Sequence, residues 1–142
     1  MVHPVRIESY TPKGRKPGRV AFTLDGRLFH ARCDADADEA RDLLIAGTTY
    51  PLALTIAANG KVDYSEPGAA GLRVEKADVA GDQVSFLART WQTIDQSSVL
   101  LQSEPQVALR LVAPQFATDF RGGSWLRGTG TLLASLPEDH HE

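Results

Sequence analysis

The last regular segment of the chain, Ser124 to Leu136, reads S-W-L-R-G-T-G-T-L-L-A-S-L. Leu126, Gly128, Gly130, Leu132, Ala134 and Leu136 fall on one side of a two-residue period, which is strand behaviour. Two glycines on that apolar side suit a sheet that coils tightly or admits a close neighbour. Trp125 and Arg127 take the other side. The same period recurs upstream, where Val5 and Ile7 alternate with Arg6 and Glu8 in a first strand over Val5 to Tyr10. Val20, Phe22 and Leu24 alternate as far as Asp25-Gly26, beyond which Leu28 and His30 carry the inward alternation on. An Asp-Gly pair between two such runs predicts a two-residue hairpin, because a type I′ turn needs positive φ at both central residues. Tyr50, Leu52, Leu54 and Ile56 predict a further strand, and Asn59-Gly60 a second tight turn before Lys61 to Tyr64.

Elsewhere the period changes or breaks. The segment T-P-K-G-R-K-P-G-R, residues 11–19, holds two prolines and two glycines among four charges and predicts a basic hinge rather than a buried strand. After Cys33, Ala37, Ala40, Leu43 and Leu44 share one helical face behind a run of acids, which predicts a single helix near Asp36 to Ala46 with Gly47 as its stop. Residues 65–71 read as a loop. Leu72 to Val79 predicts a strand, although Lys76 falls in phase with Leu72 and Val74, and Ala80-Gly81-Asp82 turns the chain. Val84, Phe86 and Ala88 alternate with Leu87, Arg89 and Trp91, after which Gln92 to Ser98 is a polar stretch. Val99 to Leu101 and Val107 to Val112 are strand-like, with Pro114 ending the second, and a bend through Phe116 and Phe120 leads to Arg121-Gly122-Gly123.

This pattern predicts a mainly β fold, a small curved β-sheet or partly open β-barrel with one short helix. The expected inward residues are Val20, Phe22, Leu24, Leu54, Ile56, Val84, Phe86, Leu109, Leu111, Leu126 and Leu132. The succession of three strands, a helix and a strand resembles the oligonucleotide-binding (OB) fold, a five-stranded barrel. That resemblance concerns fold alone, since one fold hosts many functions. Residues 1–136 form one β-rich domain in this reading, and 137–142 a disordered polar tail.

At 142 residues the chain fits one domain, which buries about two-thirds of the surface its unfolded chain exposes. A net charge of −3 argues against wholesale attraction to nucleic acid or anionic membranes. Charge is locally uneven: Arg6, Lys13, Arg15, Lys16 and Arg19 face Glu8 alone within residues 1–20, while Asp34 to Asp42 holds five acids and one arginine. The one cysteine excludes an internal disulfide. No apolar run reaches the roughly 20 residues of a membrane span, so the expected location is cytoplasmic, with no membrane partner.

Candidate chemistry is sparse, and no cofactor is expected. Asp34, Asp36 and Asp38 have the spacing of the first calcium-loop ligands, but Glu39 stands where glycine is needed and Ile45 where a bidentate glutamate is needed. An acidic helix start accounts for them. Cys33 has no C-x-x-C partner and no histidine in motif with it, and His140, His141 and Glu142 lie on a terminus that cannot preorganise a metal site. His3 has no sequence partner. His30, Asp25 and Asp63 are available for acid–base work with nothing to bring them together. Arg121-Gly122-Gly123-Ser124 could form a small anion nest, but a tight turn is the cheaper explanation. The pattern that points furthest is Arg89 with Trp91 on one outer face and Trp125 with Arg127 on another, supplemented by Lys13, Arg15, Lys16 and Arg19. Arginine meets phosphate or carboxylate while tryptophan stacks or packs. The expected function is a non-enzymatic protein-interaction or self-assembly module, such as a homodimer. Single-stranded nucleic-acid binding is one alternative, and small-molecule binding or motif-free catalysis another.

Overall fold

The computed structural model describes residues 2–13, 16–33, 37–68, 71–74, 83–102, 106–112, 115–120 and 122–136. It is mainly β. The strands are β1 (Val2–Lys13), β2 (Lys16–Leu24), β3 (Arg27–Cys33), β4 (Thr49–Ala58), β5 (Asp63–Tyr64), β6 (Gly71–Val74), β7 (Gln83–Asp95), β8 (Ser98–Gln102), β9 (Ala108–Arg110) and β10 (Trp125–Ser135). One short helix, α1 (Ala37–Leu43), follows β3, and a 3₁₀ turn, η1 (Ala117–Asp119), precedes β10.

Pairing closes a barrel. Eight strands follow one another around the circuit in the order β10, β3, β2, β1, β4, β9, β8, β7 and back to β10, with β5 and β6 added at its margins. A further ladder, β10 with β4, crosses that circuit. It divides the eight strands into two five-membered rings that share β4 and β10. One edge of β10 carries β4 and then β5, both antiparallel; the other carries β7 opposite residues 125–131 and β3, parallel, opposite 133–134. Similarly, β1 and β9 divide one edge of β4 between them. Val20, Phe22, Leu24, Leu54, Ile56, Val84, Phe86, Leu109, Leu111, Leu126 and Leu132 are buried as expected and belong to one continuous core.

Four expectations are corrected. The phase of β3 is inverted: Phe29, Ala31 and Cys33 are buried, while Leu28 is 53% exposed and His30 half-buried. The reason lies in the turn. Asp25 and Gly26, at φ 53° and 77°, make the expected two-residue connection, which sets Leu24 opposite Arg27 and Phe22 opposite Phe29. Opposed residues share a face, so even numbers inward on β2 require odd numbers inward on β3. The Phe22 and Phe29 rings stack at 5.8 Å as a result.

Second, Asn59-Gly60 does not reverse the chain. Both β4 and β5 run antiparallel to β10, Ile56 opposite Leu132 and Tyr64 opposite Leu126, so the pair introduces an irregularity between two stretches of one direction. There the Gln115 side-chain amide replaces a strand, accepting from Val62 N–H at 2.8 Å and donating to Val62 O at 2.9 Å. Third, the basic segment 11–19 is largely strand. The β1–β2 ladder continues to Lys13 opposite Lys16, and buried Gly18 leaves the space into which Tyr10 packs. Fourth, Gln92 to Asp95 belongs to β7, which turns through Gln96-Ser97 into β8.

The ends of the barrel are covered by short elements. α1 packs on β1 and β2 through its buried Ala40, with Leu44 just beyond its end also buried. Its seven residues are fewer than the sequence suggested because the chain rejoins the sheet at once: Gly47 N–H donates to Ile7 O and Ile7 N–H to Thr48 O, which extends the β1–β4 ladder. Ala117 of η1 and Phe120 are buried at the far end, where Tyr64 meets Phe120 edge-on at 5.4 Å. Lys76, Val79 and the 80–82 turn lie outside the described residues, as does the 137–142 tail.

Gly130 is the tightest point of the seam. A Cβ built there would lie 2.5 Å from both Ala57 O and Ile56 Cγ2, one of them backbone that cannot rotate away. Replacing Gly130 with valine is expected to destabilise the domain by about 3 kcal/mol, the upper end of ordinary overpacking. Chemical denaturation of both proteins checks this, and an unchanged midpoint contradicts it.

Candidate functional site

The outer face of the β7–β10 ladder gathers the aromatic and basic residues of two strands. Val84, Phe86 and Ala88 on β7 and Leu126 on β10 point into the core, so Arg89 and Trp91 on one strand and Trp125 and Arg127 on the other point outward. Register makes the first pair direct neighbours: Trp125 stands opposite Arg89, and Arg127 opposite Leu87 on one side and Asp63 on the other. Arg89 and Arg127 are exposed and Trp125 is half-buried.

The β7–β8 ladder then breaks twice. Its register shifts between Thr90 and Gln92 and again between Thr93 and Asp95, so the two extra residues are Trp91 and Ile94. These are the large apolar side chains that β7 exposes, at 56% and 50%. Bulges bend a strand and re-aim a side chain, which explains why an alternating reading ended the strand at Trp91 and saw only a polar stretch beyond it. The end of the hairpin is held by Asp95, whose Oδ1 accepts from Ser97 N–H at 2.9 Å and Ser97 Oγ at 3.3 Å. The Ser97 backbone bond holds the Asp95 carboxyl below its ordinary pKa against the opposing effect of desolvation, with lesser help from the hydroxyls of Ser98 and Ser97.

The segment before β10 ties this hairpin to the barrel. Leu111 N–H donates to Ser97 O at 2.6 Å and Ala117 N–H to Gln96 O at 2.8 Å. Asp119 accepts from Phe116 N–H through its carboxylate and from Tyr64 Oη through its backbone carbonyl. Five of the eight large apolar side chains exposed among the described residues, Tyr64, Trp91, Ile94, Val112 and Phe116, therefore sit on segments bonded to one another at this end. Thr90, the one buried polar residue described, completes the tie: its backbone pairs with Gly123 N–H and Ser124 O, and its hydroxyl accepts from Ser124 N–H at 3.2 Å. Those bonds consume the amides of Gly123 and Ser124, which leaves the expected turn rather than an anion nest.

The basic residues of the first hairpin are elsewhere. Arg19 stands opposite Arg32 on β3, and Arg32 opposite Leu133 on β10. Leu133 is eight residues from Trp125, roughly 26 Å along the strand. Lys13 and Lys16 lie beyond Arg19 on the same ladder, and Arg15 falls outside the described residues. The expected single surface of basic hairpin and aromatic platform is thus two surfaces at opposite ends of β10.

The remaining candidates do not converge. His30 stands opposite Ala21, Asp25 occupies the hairpin tip and Asp63 lies opposite Arg127. Cys33 is fully buried, and His3 Nε2 meets Gln106 O at 2.5 Å. Asp34, Asp36, His140, His141 and Glu142 are outside the described residues, among which no three His, Cys, Asp or Glu side chains form a metal-binding group. No described helix is long and apolar enough to cross a membrane. Compared with protein-family models, curated proteins and solved structures, the chain gives no significant match.

The depressed Asp95 pKa fixes the sign of a pH effect. A carboxyl whose pKa is lower folded than unfolded stabilises the fold above the unfolded value and loses that contribution as pH falls through the folded one. Asp95→Asn is therefore expected to melt below the wild type at neutral pH and to converge with it in acid. Thermal melts across an acid series check this; a gap that persists at the lowest pH contradicts the assignment.

Proposed function

We propose that the chain is a non-enzymatic interaction module that docks a protein partner, or a second copy of itself, on the outer face of β7 and β10 and the adjoining hairpin end. The observation that carries this reading is the coincidence of the two β7 bulges with Trp91 and Ile94. A strand that breaks its ladder twice to present two large apolar side chains incurs a cost that its own core does not recover. Around them stand Phe116 and Val112, with Arg89, Arg127 and Trp125 alongside. Buried aromatic anchors beside arginines are the composition of interface hot spots. The interior supports the same view, since Thr90, its one buried polar residue described, is used in structural bonds. A cytoplasmic setting accompanies this proposal.

Trp91→Ala and Ile94→Ser are expected to keep the wild-type melting temperature within a few degrees, because both side chains are already largely in water. They are also expected to lose association. Sedimentation over a wide concentration range reads the self-associating form; capture of a saturable partner by wild type but not by Trp91→Ala reads the other. Monomers at every concentration together with equal capture by both proteins would sink the proposal.

A second reading rests on a different observation. The ring β1, β2, β3, β10, β4, with its helix between β3 and β4, has an OB-like order, and OB barrels bind oligonucleotides on their second and third strands and first hairpin. Two ladders set Lys13 opposite Lys16 and Arg19 opposite Arg32, a row of basic positions of the kind that contacts phosphate. Short fluorescent single strands are then expected to bind at low salt and weaken steeply as salt rises, with Arg19→Ala reducing affinity and Trp125→Ala leaving it unchanged. No binding at low salt removes this reading.

A further inference from the structure

Asn59 is the chain's only asparagine, and it precedes a glycine. Conformation does not explain the pair. Gly60 is outside the left-handed region, and a Cβ built on it would meet nothing within 4 Å; the chain does not reverse there either. What the glycine does leave is an unshielded backbone nitrogen next to the Asn59 side chain. Asn59 itself is exposed.

Its side chain is held in a closed ring of hydrogen bonds across three strands. Asn59 Nδ2 donates to Gln83 Oε1 at 2.5 Å, Gln83 Nε2 donates to Thr131 Oγ1 at 2.7 Å, and Thr131 Oγ1 donates to Asn59 Oδ1 at 3.4 Å. Every member gives one proton and takes one. The Asn59 backbone is fixed as well, its N–H donating to Thr129 O at 3.0 Å. The ring links the end of β4 to the β7–β10 ladder, where Gln83 stands opposite Thr131.

We infer that Asn59 is a site of spontaneous deamidation whose rate is set by this ring. The Gly60 nitrogen, on losing its proton, attacks Asn59 Cγ; the new N–Cγ bond forms as the Cγ–Nδ2 bond breaks, and ammonia leaves with the proton it requires. Water then opens the succinimide at either carbonyl, giving aspartate or isoaspartate. Gln83 Oε1 anchors the leaving nitrogen and keeps Cγ from swinging onto the Gly60 nitrogen, so the folded protein reacts slowly. The product cannot restore the ring, because a carboxylate only accepts. Isoaspartate also lengthens the backbone by one carbon where β4 leaves its ladder with β10. Modification therefore loosens the seam that the two rings of the barrel share.

The full chain is incubated at mildly alkaline pH and followed by intact mass and peptide mapping, alongside three variants whose melting temperatures are recorded. Gln83→Met removes the acceptor at similar volume and is expected to speed conversion about five-fold, the factor that one net hydrogen bond imposes on a local equilibrium. Gln83→Glu retains an acceptor for Nδ2 and is expected to keep the slow rate, which separates the bond from general loosening. Gly60→Ala shields the nitrogen, melts no lower than wild type because the site is open, and is expected not to convert. Equal rates in wild type and Gln83→Met overturn the inference, as do wild-type conversion by Gly60→Ala or a Gln83→Glu rate matching that of Gln83→Met.

Discussion

Everything in this barrel depends on how β10 shares its two edges. A strand has two rows of hydrogen-bonding groups, and here one row serves β4 and then β5 while the other serves β7 and then β3. The change from β7 to β3 occurs near Thr131 and Leu133, close to where Gly130 lies against Ala57 O. Close approach of two backbones is the physical condition for this crossing, and a side chain would prevent it. A glycine at Gly128 is used differently: the Phe86 ring lies over it, 3.0 Å from a would-be Cβ, and covers the backbone that the missing side chain exposes.

Chemistry is divided between inside and outside. Among the described residues no charged side chain is buried, and the polar groups inside include Thr90 and the Tyr10 hydroxyl, so the charges lie on the surface. That surface is polarised along β10, with aromatic and apolar groups near Trp125 and cationic ladder pairs near Leu133. The two ends have separate neighbours: the first is held by the β7–β8 hairpin and η1, the second by β1, β2 and β3. Each can be altered without touching the other.

Much of this was legible from the two-residue period. On β2, β4, β7, β9 and β10 the expected inward residues are buried except Tyr50 and Gly128, which are half-buried, and the Asp25-Gly26 turn falls where expected. The inverted phase of β3 was also within reach, because a two-residue turn converts even parity to odd; extending the alternation straight through the turn missed this. The bulges at Trp91 and Ile94, and Ile94 itself, could not be found that way. A bulge is defined by the partner strand, and the residues opposite β7 are separated from it by a turn whose register the local pattern does not state. Asn59-Gly60 misled for a related reason: the dipeptide permits a turn, but Gln115, more than fifty residues later, pairs with Val62 and keeps the chain moving along β10. The aromatic–arginine face was visible because outward residues on β7 and β10 keep simple alternation up to Trp91. Its distance from the basic hairpin was not, since that follows from the β3–β10 pairing.

That β10 follows every strand it pairs with also governs how the barrel is made. During synthesis β1 to β3 can form a meander and β7 to β9 another, but neither ring closes until the final strand emerges. Until then the edges of β3, β4 and β7 that β10 will cover are open, and open edges recruit other chains. Closure also pairs Leu133 with Arg32, residues far apart along the chain, which slows folding relative to local structure. Nascent chains that stall or terminate before Trp125 are consequently left as two half-built sheets, the species from which aggregation begins.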